Sequence, residues 1–168
     1  MKNWAKWLIA LPLLYFMAPV TIETAVLPIT LQTLILFSLA GWLGGLQGFL
    51  MSAIYLATGA MGAPIFADHT HGWQKMTGHT AGFLWAFPLG CLAIGYWCKY
   101  YKQQWLWLIV GFSLCHCLIF IPGFWILKVQ IPQFKIVPAL LDLIPALLVK
   151  SLIGGTFLFL THKLSFNK

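Results

Sequence analysis

A lysine at position 150 sits inside an apolar run, PALLVKSLIGG. Such a charge either snorkels on its long stem to the membrane surface or faces the interior and meets an anionic ligand. Both readings stay open on the residues alone. A second candidate is the stretch APIFADHTHGWQKMTGHT at 63–80, where Asp68, His69, His71 and His79 lie close together. His-x-His with a third donor suits a transition-metal ion, while a plain outer loop whose histidines meet water fits the same residues. Cys91, Cys98, Cys115 and Cys117 fall in apolar segments, and Cys115-x-Cys117 lacks metal-ligand spacing, so all four read as small core hydrophobes. Other chemistry has little to work with. The chain has no GxxxxGK[ST] loop, no GxSxG and no HExxH, and no apolar run holds a carboxylate unless Asp142 reaches in. P-loop nucleotide hydrolysis is thereby excluded. An enzyme has no acid–base pair and an ion-coupled pump no buried acid, which leaves a binder or channel with no catalytic residue, bound metal or cofactor.

Membrane helices must position these groups. Of 168 residues, 61% are hydrophobic and 8% charged, against about 25% charged in soluble domains. Six apolar runs follow, at about 4–20, 29–43, 46–62, 81–98, 105–121 and 144–161. About 20 residues cross a bilayer, so residues 1–168 read as a single six-helix transmembrane domain, an all-α integral membrane protein. The first run follows Lys2 and Lys6 but lacks a small-x-small cleavage site, so it reads as an uncleaved helix. Gly41-Trp42-Leu43-Gly44-Gly45 is a tight turn, the fifth run closes at Pro122-Gly123, and 123–143 reads as mixed.

The net charge is +7, carried by lysines alone and opposed by Glu23, Asp68 and Asp142. The lysines are scattered at run ends rather than gathered in a stripe, which points to membrane lipid and away from nucleic acid. With six spans, Lys2, Lys6, Lys99, Lys102, Lys163 and Lys168 share one side and Lys75, Lys128 and Lys135 the other. The positive-inside rule then puts both termini in the cytoplasm and the chain in the cytoplasmic (inner) membrane.

PITLQTL at 28–34, GFLMSAIYLATGAMGAPIFA at 48–67 and GHTAGFLWAFPLG at 78–90 together resemble the BioY family, and IPALLVKSLIGG at 144–155 resembles that family's last-helix motif. The likeness spans roughly 20–162. It implies a six-helix bundle like the S components of energy-coupling factor (ECF) transporters, an outward-facing pocket for biotin, and high-affinity biotin uptake. It also implies a partner module of two ATPases and a transmembrane coupling protein, with a homodimer or a chain acting without a dedicated module as alternatives. The runner-up is a membrane carrier or channel for another small solute or a metal ion. His79, Phe83, Ala86, Ala146 and Leu147 depart from the family's usual residues, and the first helix lacks an A-x-x-x-A pattern.

Biotin's ureido group needs donors and acceptors once buried. Thr30, Gln32, Tyr55, Thr80 and Asp142 are the candidates. Phe66, Phe83 and Trp85 are candidates for an aromatic wall, and Lys150 for the cation that meets the carboxylate. Each has a plainer alternative. Thr30 and Gln32 suit caps of the second helix and Thr80 the N-cap of the fourth. Tyr55 suits an interhelical bond and Trp85 a lipid-facing position. Gly59, Gly62, Gly78 and Gly82 read as structural glycines, and the 63–80 loop as a lid.

Overall fold

The computed structural model describes residues 3–22, 29–101 and 103–166. Glu23, Lys2, Lys102 and Lys168, which entered the charge argument, lie outside the described residues. Helix α1 (Asn3–Met17) leads to a two-residue strand β1 (Thr21–Ile22), which pairs antiparallel with β2 (Ile29–Thr30), Thr21 opposite Thr30. Helices α2 (Gln32–Leu43) and α3 (Gly45–Ala60) follow, then a 3-10 turn at Ala67–His69 and the short α4 (Trp73–Thr77). Three long helices close the bundle: α5 (Ala81–Tyr101), α6 (Trp105–Gln130) and α7 (Ile136–Phe166). The last three are each long and apolar enough to cross a membrane.

The six apolar runs correspond to the six helices other than α4. The largest departures from the sequence reading are at two boundaries. Pro122 does not close α6, which runs on to Gln130, and α7 starts at Ile136 rather than 144. The cause is the solvent. In hydrocarbon a broken backbone has no water to turn to, so helices continue through proline, as at Pro12, Pro88 and Pro145. Lys150 therefore lies about 21 Å along α7 rather than near its start.

Helix α5 is the central post, packed against α2, α3 and α6, and α7 closes on α6 and α2. At the α2–α3 turn Gly44 has φ 101°, a conformation that costs any other residue strain. Opposite it, a Cβ on Gly95 would stand 2.4 Å from the Gly45 backbone nitrogen, so only glycine lets α5 approach α3 there. The core runs through Leu14, Phe37, Met51, Tyr55, Ile94, Phe112 and Leu158. Cys91, Cys98 and Cys115 belong to it as expected, but Cys117 is exposed, two residues round the helix from Cys115. Around this core, Leu8, Phe16, Leu106, Ile121, Trp125, Val137 and Leu152 face outward. A belt of that size suits lipid tails rather than water.

Candidate binding site

A cavity of about 180 Å³ opens among the loops at one end of the bundle and reaches down between α2, α5, α6 and α7. Its polar groups fall at two levels. Among the helices stand Gln32, Thr33, His116 and Lys150. At the loops stand Thr30 on β2, then Asp68, Thr70, Lys75 and Thr80. Between them the wall is apolar, from Phe66, Phe83, Phe87, Ile119, Phe120 and Leu147.

The helix level is wired together. The Lys150 ammonium donates to Thr33 Oγ1 at 3.1 Å. The same oxygen lies 3.0 Å from His116 Nε2, while His116 Nδ1 lies 3.0 Å from the Phe112 carbonyl. Gln32 Nε2 donates to the Tyr55 hydroxyl at 2.6 Å, which donates in turn to the Ile65 carbonyl at 2.6 Å. Gln32, Thr33 and His116 are buried, so these bonds act with little competition from water.

The loop level is clasped mainly through backbone. Asp68 N–H donates to the Pro19 carbonyl at 3.0 Å, and the Thr21 hydroxyl donates to the Asp68 carboxylate. Phe66 N–H donates to the Thr70 carbonyl and Gly72 N–H to the Gly59 carbonyl. Gln130 from the end of α6 donates to the Thr77 carbonyl at 3.0 Å. Asp68, Lys75 and Thr80 are exposed.

Six of the nine residues proposed from sequence share this cavity: Thr30, Gln32, Phe66, Thr80, Phe83 and Lys150. Three do not line it. Tyr55 is fully buried behind Gln32, where it fixes that amide. Trp85 is 53% exposed and points its indole N–H at the Met76 carbonyl, because an indole donor seeks the nearest free acceptor and the start of α5 lies under α4. Asp142 is exposed on the first turns of α7. It supplies no partner to Lys150, whose partner is a hydroxyl. Helix α2 is capped at Leu31 with no side-chain bond, so Thr30 and Gln32 are not its caps. Of the four glycines, a Cβ on Gly59 would strike the Phe66 ring at 2.3 Å and one on Gly82 the Pro122 carbonyl oxygen at 2.1 Å. Gly62 has φ 114°, and Gly78 meets only the Gln74 carbonyl oxygen, at 3.0 Å.

Sequence reasoning missed Thr33, His116, Asp68 and Lys75 as lining residues. His116 had one available signal, being a polar ring in the middle of an apolar run. The loop histidines do not gather: among the described residues no group of three His, Cys, Asp or Glu is placed to hold a metal ion.

A family model described as the BioY family matches residues 1–165. The biotin transporter BioY of Thermotoga maritima is 33% identical over 112 residues, covering 64% of this chain and 66% of that protein. The probable biotin transporter BioY of Methanothermobacter thermautotrophicus is 34% identical over 124 residues, 64% of this chain and 76% of its own length. The match to the probable biotin transporter BioY of Pyrococcus horikoshii is shorter, 33% identical over 78 residues and about half of that protein, 48%. In fold, the chain is similar to a crystal structure of the S-component for biotin from an ECF-type ABC transporter, with TM-score 0.82 at 19% identity, over 98% of this chain and 90% of that one. With the outward apolar belt, these relatives make this a multi-pass membrane protein.

Proposed function

The chain belongs to the BioY family, and on that premise we propose that it captures biotin in the cavity and delivers it across the membrane as the substrate-binding component of an ECF-type transporter. One observation carries the reading. A largely apolar cavity holds a lysine that donates to a neutral hydroxyl, itself beside a ring nitrogen, with the Gln32 amide on the same lining. Among the described residues no carboxylate pairs with this half-buried ammonium, and an acidic ligand with a polar head would offset the cost of its burial. Lys150 is the cation proposed for the carboxylate, with Gln32 and Thr30 for the ureido edge. Phe66 and Phe83 lie against the ring body.

With no P-loop in the sequence, binding is expected to proceed without ATP, while transport draws on two ATPases and a coupling protein. On the distribution of lysines, both termini are expected in the cytoplasm and the segment 61–80 outside. The test is binding of labelled biotin to purified chain in detergent without nucleotide. Retention that desthiobiotin displaces and divalent metals do not displace is the expected result. No retention, or retention only with ATP, overturns the reading. Cysteines introduced at 71 and 101 should react with an impermeant reagent from opposite sides of the membrane.

A further inference from the structure

We propose that His116 is a positioning residue: acting through Thr33, it aims the Lys150 ammonium into the cavity. The inference rests on the biotin-binding reading above and deepens it.

Hydrogen accounting fixes the direction of the chain. The Phe112 carbonyl only accepts, so His116 Nδ1 must carry a proton and donate to it at 3.0 Å. An ammonium only donates, so Thr33 Oγ1 accepts from Lys150 at 3.1 Å. The Thr33 proton is then free to point at His116 Nε2, 3.0 Å away, which accepts it only if that nitrogen is bare. The neutral imidazole with its proton on Nδ1 satisfies all three groups at once. The neutral tautomer with its proton on Nε2 would instead set a bare Nδ1 against the Phe112 carbonyl oxygen, two acceptors face to face, and would take from the Thr33 hydroxyl its acceptor at Nε2.

The imidazole is held so that it can act as a fixed anchor. Its ring packs edge-on to Phe37 at 5.1 Å and against Phe112 at 5.3 Å, and both phenylalanines are fully buried. Gly154 brings α7 onto the Phe112 ring, where a Cβ would stand 2.2 Å from it, so the helix that carries Lys150 is seated on the same ring that supports His116. Lysine has a long flexible stem, and a side chain already ordered before binding gives up less entropy when the ligand arrives. His116 comes from α6, Thr33 from α2 and Lys150 from α7, so the relay also ties the three helices together around the cavity.

The test is a double-mutant cycle on biotin affinity with a tautomer measurement beside it. His116→Phe keeps the ring and removes the acceptor, and it should weaken biotin binding about tenfold, the scale of one buried hydrogen bond. His116→Gln returns an acceptor near Nε2 and should recover to within about threefold. In the Lys150→Met background, His116→Phe should have no further effect, because there is no ammonium left to aim. An unchanged tenfold loss in that background means that His116 serves biotin or the fold directly, and overturns the proposal. So does full affinity in His116→Phe. Independently of ligand, 15N spectra of the parent in micelles should show Nδ1 protonated and Nε2 bare, with the Nε2 signal moved by Thr33→Val. A protonated Nε2 overturns the relay even if the cycle behaves. Failure of the parent to bind biotin instead overturns the reading of the site, and the tautomer tells the two failures apart.

Discussion

At the helix level of the cavity, Gln32, Thr33, His116 and Lys150 come from three helices; side-chain bonds join Lys150, Thr33 and His116, and Gln32 is fixed by the buried Tyr55 hydroxyl. At the loop level, Asp68, Thr70, Lys75 and Thr80 hang on segments tied mostly by backbone bonds near water. The same kinds of side chain are present at both levels. What differs is the medium. A bond shielded from water keeps most of its strength and fixes geometry, while an exposed one exchanges readily with solvent and opens at low cost. The helix level is thus suited to recognise and the loop level to admit and release.

The largest effect is expected from Lys150→Met, which keeps the stem and removes the charge. If Lys150 meets the carboxylate, biotin binding should weaken by about 2–4 kcal/mol, as for breaking a buried charge pair. Biotin amides, which have no carboxylate, should lose far less. Isothermal titration with both ligands checks it, and equal losses would mean that Lys150 serves another part of the molecule.

Next is the frame around the cavity. On Gly82 a Cβ would stand 2.1 Å from the Pro122 carbonyl oxygen, a backbone atom that cannot swing aside. Gly82→Ala should therefore push α5 from α6 and lower stability by about 1–3 kcal/mol, read in a thermal melt. Gly78 belongs to the loop level, with φ −80° and only one contact at 3.0 Å. Gly78→Ala should leave the melt nearly where it was. Equal shifts in the two variants would erase the distinction between frame and loops.

These contrasts also explain what was legible in the sequence. The helix count was, because about 20 apolar residues have few other uses. Lys150 was, because a charge in an apolar run stands out. Its depth was not, since Pro122 and the mixed composition of 123–143 suggest breaks that a membrane does not permit. Thr33 and His116 stayed hidden because they are 83 residues apart and become partners only when α2 and α6 meet. Trp85 misled for a related reason. Its place inside a run suggests a wall, but its indole follows the Met76 carbonyl, a detail of loop geometry that no periodicity carries.

A smaller effect is expected where the two loops join. Asp68 holds φ 56°, a left-handed conformation, while bonding Thr21 of β1 and the Pro19 carbonyl ahead of it. Asp68→Ala removes the carboxylate and tolerates that conformation less well. Equilibrium affinity should fall by only about 0.5–1 kcal/mol. Dissociation should speed up severalfold, and protease should cut the 61–80 loop faster in the absence of biotin. Unchanged cutting and release would show that the clasp does not govern access.

The smallest effect is expected from Lys75→Met, and it tests the comparison most directly. Both lysines line the cavity, so each is a possible partner for a carboxylate. Lys75 is exposed on α4, where water solvates its charge and salt screens it. An exposed ion pair is worth about 0–1 kcal/mol, so Lys75→Met should weaken biotin binding by less than about fivefold. That loss should fade as ionic strength rises past about 0.15 M, where the screening length is about 8 Å. The loss from Lys150→Met should persist across the same range, because its ammonium is shielded by α2, α6 and α7. If the order inverts, with Lys75→Met the more damaging and its loss absent for biotin amides, the carboxylate lies at the loops. Lys150, Thr33 and His116 would then face the ureido end, and recognition of the acid would belong to the loop level rather than the helix level.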